Sequence, residues 1–388
     1  MSMKEECQAR IACLQERLQQ AELDGAFILY PIDIYYYSAT RQNAALWVPT
    51  QGDPMLMVRK SLARAEQESG LDQLRPFPRS KDFASLFDGN KKIGMTFDVL
   101  PVDQYNFYQK MLPQAEFVDI SMINRELRSV KSDWELERMR HGGVQLSRAF
   151  ATIADLLKPG MREIDLAAEF ESVLRKIGGE GLVRMRAFNQ EMFMGLVVSG
   201  RSGSKGGFFD GAVTGQGMSN AVPFGASTKT IEPGQPVLID YAGVFDGYIV
   251  DMTRMFVCGE LDAQLQNAFD VSCRIQDCVA AELKPGAICS ELFERSLKMA
   301  EEAGLDGCYM GPPGEQARFV GHGVGLELDE FPVLAQGFDM PLIAGQTIAI
   351  EPKFVFPKQG PIGIENTYVV TQQGGEKISV LSDALISV

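Results

Sequence analysis

Apolar positions recur at two different spacings along this chain, and each spacing predicts one kind of element. Residues 8–23 carry apolar side chains at helical intervals, and an apolar run of strand length follows at residues 26–30. Strands and helices then alternate, with strands predicted at 45–49, 54–58, 92–96 and 116–120 and helices at 61–69 and 103–111. This alternation predicts an α/β domain covering residues 1–127.

A second domain is predicted to begin at residue 128. Ser132, with Glu135 three residues later, has the pattern of a capping box and predicts the start of a long helix that ends near residue 157. Paired helices and strands follow, so residues 128–388 form the larger domain. Together the two domains predict an α+β protein.

A β-hairpin is predicted at residues 234–253. Its first strand is apolar and ends at Asp240, Asp246 and Gly247 form the turn, and the returning strand carries Asp251. We expect Asp240 and Asp251 to face each other across the pair. Facing carboxylates repel each other, and a bound cation relieves that repulsion.

The hairpin pattern occurs a second time. An acid follows the Gly-Gln pair by the same interval in both copies, as Asp240 and as Glu351, and Asp251 is matched by Glu365. The sequence Leu-Lys-Pro-Gly also occurs twice, at 157–160 and 283–286. The second domain is therefore predicted to be duplicated, and its four carboxylates require roughly two divalent ions at one centre.

His322 lies between two glycines, where the backbone can approach a ligand closely. An imidazole beside four carboxylates favours manganese, cobalt, zinc or iron over calcium or magnesium. Asp329, seven residues later, is either a solvated charge or a further polar group of the site.

Composition excludes several classes of partner. The net charge of the 388 residues is −14 and no basic stripe is present, which argues against nucleic acid and anionic membranes. No apolar run approaches the roughly 20 residues that span a bilayer. Seven cysteines without a Cys-x-x-Cys pair favour reduced thiols, and the charged start is not a signal sequence, so we expect a cytoplasmic protein.

These motifs resemble those of the creatinase, prolidase and aminopeptidase P family of pita-bread metallopeptidases. The family's two aspartates match Asp240 and Asp251, its Gly-His-Gly motif matches His322, and its two strand glutamates match Glu351 and Glu365. The resemblance covers the whole chain. It implies a creatinase-type α/β domain followed by a pita-bread domain, in which duplicated helix-strand halves surround a curved antiparallel sheet.

By that resemblance, one metal ion is held by Asp240, Asp251 and Glu365, and a second by Asp251, His322, Glu351 and Glu365. Two divalent ions are implied, manganese first, with a bridging hydroxide that attacks a carbonyl. The resemblance implies an Xaa-Pro peptidase, a small peptide substrate and a homodimer. We expect Glu351 to move the proton.

Three positions depart from the family pattern. Phe224 and Asp329 stand where family peptidases carry histidines, and Gly363 stands where they carry an arginine. Residues 201–217 form a long Gly- and Ser-rich loop, from which Arg201 or Lys205 could replace the missing donors. We expect Asp329 to take part in catalysis and Phe224, Arg201 and Tyr248 to contact substrate.

The departures leave three hypotheses about function. The first is an Xaa-Pro peptidase, and the second is a metal-dependent enzyme of the same fold that acts on a non-peptide small molecule. The third is a binding protein without catalytic activity. Retention of all five metal ligands argues against the third, because an unused cluster of carboxylates is electrostatically costly.

Overall fold

The computed structural model describes residues 2–87, 89–186, 191–207 and 209–388. The chain divides into two compact units, of which the first ends at Arg128 and the second begins at Ser129. The predicted boundary lies one residue earlier. In the described ranges, no helix is both long enough and apolar enough to cross a membrane.

The first unit is built on a mixed six-stranded sheet. Its α-helices are α1 (Met3–Gln20), α2 (Pro31–Ser38), α3 (Leu62–Glu68), α4 (Ser80–Phe83), α5 (Val102–Met111) and α6 (Ser121–Ser129). Its strands are β1 (Gly25–Ile28), β2 (Ala44–Pro49), β3 (Met55–Val58), β4 (Leu74–Pro76), β5 (Lys92–Met95) and β6 (Glu116–Asp119). They lie in the sheet in the order β4-β3-β2-β1-β5-β6. The predicted α/β character of this part of the chain is confirmed.

The second unit contains helices on a long curved sheet. Its helices are α7 (Asp133–Phe150), α8 (Ile153–Leu156), α9 (Glu163–Lys176), α10 (Gly200–Gly203), α11 (Ala263–Ala281) and α12 (Cys289–Glu302). Its strands are β7 (Gly195–Ser199), β8 (Pro236–Phe245), β9 (Tyr248–Val257), β10 (Phe319–Gly323), β11 (Glu330–Ala335), β12 (Thr347–Ile350), β13 (Lys353–Phe356), β14 (Gly360–Gly363), β15 (Glu365–Thr371), β16 (Gly374–Lys377) and β17 (Ile386–Ser387).

The main path of this sheet runs β11-β10-β12-β15-β9-β8-β7, and all its neighbouring strands are antiparallel. Helices α7 and α9 pack on the β7–β9 half, and α12 packs on the β10–β11 half. Strands β13 and β14 form a separate pair that extends the β12–β15 hairpin. The predicted α+β class and the duplication are confirmed.

The first hairpin closes with a two-residue turn. Asp246 and Gly247 both have positive φ, 49° and 82°, as a type I′ turn requires. The predicted end of the strand at Asp240 is wrong, because β8 continues to Phe245. The register therefore pairs Asp240 with Thr253 and Asp251 with Ala242. The two aspartates are diagonal neighbours on one face and not directly opposite each other.

Helix α7 begins as the sequence predicts. Ser132 is the N-cap, and it exchanges hydrogen bonds with Glu135 in a complete capping box. The helix ends at Phe150, earlier than predicted, and the short helix α8 follows it. Helix α7 packs against β8 and β9, the two strands that carry the first pair of acids.

Candidate metal centre

The five predicted metal ligands come from five consecutive strands of the curved sheet. Asp240 lies on β8, Asp251 on β9 and His322 on β10, while Glu351 directly follows β12 and Glu365 begins β15. The strand order β10-β12-β15-β9-β8 makes these strands neighbours. The structure therefore brings together residues that lie up to 125 positions apart in the sequence.

A lysine that the sequence analysis did not single out occupies the middle of this cluster. The Nζ atom of Lys353 lies 2.8 Å from Asp240 Oδ2, 2.7 Å from Glu351 Oε2 and 2.8 Å from Glu365 Oε2. Its side chain is only 2% exposed. The signal in the sequence was the spacing, because Lys353 follows Glu351 by two positions and side chains two apart on an extended chain share a face.

The second oxygen of each glutamate faces the histidine. His322 Nε2 lies 3.6 Å from Glu351 Oε1 and 3.9 Å from Glu365 Oε1. One donor atom each from Asp251, His322 and Glu365 lies within 4.8 Å of the other two. A set of two carboxylates and one imidazole suits a divalent transition metal, so the residues on the His322 side fit one such ion.

The ionisation of Lys353 follows from its partners. Burial alone would lower the pKa of this amine, but the carboxylates of Asp240, Glu351 and Glu365 outweigh burial and raise the pKa well above its usual range. Lys353 is therefore an ammonium, which balances part of the charge of the cluster.

Asp251 has the opposite surroundings. Burial raises its pKa well above the usual range for an aspartate, and the neighbouring charges of Glu365 and Asp240 raise it further. Among the described residues, Lys353 forms no ion pair with Asp251. The charge of Lys353 offsets this effect only in part, so the negative potential around Asp251 favours a divalent cation there.

The pKa of His322 is also raised. Burial by itself lowers it, but the charges of Glu351, Asp329 and Glu365 together favour the imidazolium. A histidine binds a metal ion only in its neutral form, so metal binding at this centre has to compete with protonation of His322.

Neighbouring polar groups hold the carboxylates in place. Thr253 Oγ1 donates a 2.9 Å hydrogen bond to Glu365 Oε2, and the Met252 amide donates one of 3.0 Å to Asp251 Oδ1. The buried guanidinium of Arg254 donates a 2.9 Å hydrogen bond from Nη1 to the backbone oxygen of Glu365. These contacts orient the acids before any ion binds.

The centre lies at one side of a cavity of about 410 Å³. Most of the remaining wall is apolar, with several methionine and phenylalanine side chains. Besides the centre itself, the lining includes Met185, Met192, Phe193, Met194, Leu196, Phe209, Asp210, Ala212, Val213, Phe224, Ala242, Arg318, Phe319, Leu328, Asp329, Val333 and Gln336. A small ligand with an apolar portion fits such a space.

Besides Glu351, two of the predicted catalytic and substrate residues line this cavity directly. Phe224 is buried, with its ring 4.9 Å from that of Phe193 and 5.8 Å from that of Phe209. Asp329 is exposed to solvent at the cavity wall. Position 224 thus contributes an aromatic ring to the cavity wall, and position 329 contributes a hydrogen-bond acceptor.

The structure does not bring the other two predicted substrate residues to this cavity. Tyr248 is three positions from Asp251 on β9, so it points to the opposite face, where its hydroxyl contacts Glu135 Oε1 at 3.0 Å. Arg201 lies on α10 and lines a separate cavity together with Lys205.

The long loop at 201–217 contributes to the wall through residues 209–213, and Phe208 lies outside the described residues. Its contribution is therefore an aromatic ring, an acid and small side chains. Arg201 and Lys205, the two cations considered as replacements for the missing histidines, lie elsewhere.

Gly363 is the cross-strand partner of Lys353 in the β13–β14 pair. A Cβ atom at position 363 would lie 2.5 Å from Lys353 Cγ and 2.8 Å from the backbone oxygen of Pro352. Such distances are far below van der Waals contact, so the missing side chain at 363 provides the space that the lysine stem occupies.

Comparison with known protein families adds an independent finding. The family model described as metallopeptidase family M24 matches residues 137–372, which is more than half of the chain. This chain belongs to metallopeptidase family M24. The model described as the creatinase/prolidase N-terminal domain matches residues 10–130. The expected family, the pita-bread fold and the metallopeptidase-like hydrolase class are thereby confirmed, and membership implies divalent metal ions.

Similar proteins cover nearly the whole chain. The Xaa-Pro dipeptidase of Pyrococcus furiosus is 25% identical over 373 residues, which is 95% of this chain and 97% of that protein. The crystal structure of the prolidase from Pyrococcus horikoshii has a TM-score of 0.82 at 23% identity and covers 97% of this chain and 100% of its own. The X-Pro aminopeptidase from Thermotoga maritima has a TM-score of 0.81 at 20% identity, with 96% and 100% covered. The two structures support the fold.

Proposed function

We propose that this protein is a metal-dependent hydrolase that cleaves an amide bond in a small substrate, with Xaa-Pro dipeptides as the first candidates. The observation that carries the proposal is the donor set of Asp251, His322 and Glu365 beside an apolar cavity of about 410 Å³. Manganese is the ion we propose first. The cytoplasmic location stays a prediction from the sequence, and the homodimer stays an expectation from the family resemblance.

We assign different tasks to the residues of the centre. Asp251, His322 and Glu365 would hold the ion, and a divalent ion bound there supplies polarisation of a carbonyl and activation of water. Glu351 Oε1 faces His322, and we propose that this oxygen accepts a proton and returns it to the leaving nitrogen. Its other oxygen is fixed by Lys353, which limits the rotation of the carboxylate.

The cavity wall would orient the substrate and exclude water. The rings of Phe224, Phe193 and Phe209 form an aromatic cluster that can pack against a flat or apolar group. Asp329 offers an exposed carboxylate, which is suited to a substrate amine. An Xaa-Pro dipeptide contains both features, an apolar pyrrolidine ring and a free amino group, and relatives named Xaa-Pro dipeptidase support this choice.

A second candidate is a metal-dependent hydrolase of a non-peptide small molecule. The specific observation that favours it is the loss of donors around the centre, since Phe224 and Gly363 cannot donate a side-chain hydrogen bond to a tetrahedral intermediate. A substrate whose hydrolysis needs less stabilisation of an oxyanion than peptide hydrolysis does could be cleaved without these donors.

The test is hydrolysis by purified protein loaded with manganese, cobalt, zinc or iron in separate samples. The substrates are a panel of Xaa-Pro dipeptides, longer Xaa-Pro peptides and small cyclic and acyclic amides without an α-amino acid. Glu351→Gln serves as the inactive control, because it keeps the shape of the side chain and removes its proton-accepting oxygen.

We expect metal-dependent cleavage of Xaa-Pro dipeptides that falls at least a hundredfold in Glu351→Gln. Cleavage of the non-peptide amides alone would move the assignment to the second candidate. If metal-loaded protein cleaves no amide in the panel, the proposed hydrolase function is wrong.

A further inference from the structure

The ammonium of Lys353 lies where three carboxylates of the centre converge. Its Nζ atom contacts Asp240, Glu351 and Glu365 at nearly equal distances, between 2.7 and 2.8 Å. A divalent ion bound by the same three oxygens would lie about 2.0–2.2 Å from each of them. That ion and the ammonium cannot occupy this position together.

Glu351 and Glu365 each divide their two oxygens between two directions. Both Oε2 atoms contact Lys353, whereas both Oε1 atoms face His322 Nε2. Carboxylates that bridge two cations have this arrangement. Here one of the two cation positions is occupied by the ammonium of Lys353. The other position, bounded by Asp251, His322 and Glu365, keeps its donors available.

The charges of the cluster agree with this division. Asp240, Asp251, Glu351 and Glu365 carry four negative charges when ionised, and Lys353 contributes one positive charge. One divalent ion then leaves the cluster with a net charge of minus one, and two ions would leave it with plus one. Charge balance alone allows either number, but two divalent ions and the ammonium would bring three cations into one small volume, where their mutual repulsion is poorly screened.

The backbone around Lys353 is also adapted to the lysine. Gly363 lies across from it, and a Cβ there would come within 2.5 Å of Lys353 Cγ. The space for the lysine stem therefore depends on the missing side chain at position 363. Both strands of the β13–β14 pair thus determine the position of the ammonium.

We propose that Lys353 replaces one of the two metal ions with its own ammonium, so that the centre binds a single divalent ion at Asp251, His322 and Glu365. The inference rests on the proposed function only in requiring that the centre binds a divalent ion. It does not depend on which amide is cleaved.

The first measurement is the metal content of the wild-type protein. Metal-free protein is titrated with Mn²⁺ by calorimetry, and the bound manganese is then counted by elemental analysis after gel filtration. We expect one ion per chain, with the electron paramagnetic resonance signal of an isolated Mn²⁺ ion. His322→Ala should abolish this binding, which locates the ion on the histidine side.

The second measurement uses Lys353→Met, which removes the ammonium but keeps a side chain of similar length. We expect the number of bound ions to rise from one to two and the resonance signal to become that of two coupled ions. If the variant folds only with manganese present, it is refolded in that ion and its metal content is measured directly.

Lys131→Met is the matched control. Lys131 is also a buried, ion-paired lysine, with its Nζ 2.9 Å from Glu330 Oε2, and it lies outside the proposed centre. Its replacement should leave one ion per chain. The comparison separates the loss of the ammonium at the centre from the general effect of losing a buried lysine.

Each outcome has a defined meaning. Two ions in the wild-type protein, or one ion in Lys353→Met, would overturn the inference and leave the proposed hydrolase function standing. No ion in the wild-type protein would overturn the proposed function as well. One ion without any amide hydrolysis would support the inference and contradict only the proposed function.

Discussion

Individual side chains decide how four acids, three of them buried, can be tolerated at one place. Asp240, Glu351 and Glu365 have a lysine as their shared partner, whereas Asp251 and His322 are left for an ion. Breaking such a buried arrangement by removing one partner usually costs about 3–5 kcal/mol, because the remaining charges stay buried. The lysine is thus part of the structure of the centre even before chemistry is considered.

The space beside Lys353 leads to a prediction about Gly363. We expect Gly363→Ala to lower the free energy of unfolding by about 1–3 kcal/mol, because the added methyl group would press on Lys353 Cγ and on the Pro352 carbonyl. Urea unfolding monitored by circular dichroism measures the change.

Gly307→Ala provides the matched control for this substitution. Nothing lies within 4 Å of a Cβ built at Gly307, so its effect should stay within about 0.5 kcal/mol. Equal stabilities of the two variants would show that Gly363 is not needed to accommodate the lysine.

The sequence predicted the five candidate ligands but not the lysine between them. The acids were visible because they interrupt apolar strands at positions related by the internal repeat. Lys353 stands between Pro352 and Phe354, where a lysine is ordinarily expected to be exposed. Its burial depends on which oxygens surround it, and that information comes only from the pairing of strands distant in the sequence.

Helix α7 and the hairpin β8–β9 show how local signals position the first pair of acids. Asp246 and Gly247 fix the turn, and the turn fixes the register of every residue along the hairpin. Helix α7 packs on the same two strands and begins at a capping box. The placement of Asp240 and Asp251 therefore depends on elements whose signals are short and local.

The capping box of α7 can be tested by Ser132→Ala. The substitution removes the hydroxyl that accepts a hydrogen bond from the Glu135 amide at 3.2 Å, so we expect a loss of about 0.5–2 kcal/mol in unfolding free energy. Unfolding of the whole chain in guanidinium measures this loss in the transition of the second unit.

Ser2→Ala removes the equivalent hydroxyl from α1, which also begins with a capping box but belongs to the first unit. It should leave the transition of the second unit unchanged. A loss of the same size in that transition from both variants would contradict a local effect of the α7 cap.

The elements themselves were largely predictable, and their limits were not. All five strands predicted in the first unit are present, but the pattern does not predict α2, because a run of isoleucine and tyrosine does not favour a helix by propensity. The pattern predicts that β8 ends at Asp240, because an acid interrupts an apolar run there. The strand continues because Asp240 is accommodated by Lys353, which is a tertiary effect.

The stability of the two units is expected to depend differently on metal. The candidate centre belongs entirely to the second unit, and the three-residue group of metal donors detected in the described residues lies there. A bound ion adds its binding free energy to the stability of the unit that holds it. The first unit should not share this effect.

Removal of the ion is therefore expected to destabilise the second unit selectively. At a free ion concentration one hundred times the dissociation constant, binding contributes about 2.7 kcal/mol, which a chelator should abolish. Differential scanning calorimetry with and without chelator measures the shift of each transition.

His322→Ala should melt at the same temperature with and without chelator, because it lacks the imidazole ligand. An equal response to chelator in this variant and in the wild-type protein would place the stabilising ion at a different location.

A charged side chain is present throughout folding, whereas a metal ion has to be bound from solution. Lys353 is present from synthesis, is tethered to β13 and cannot exchange with the medium. Three of the four acids can therefore gather around their counter-charge while the sheet is still forming, before any metal has been captured. The protein is therefore expected to fold first and to bind its metal ion afterwards.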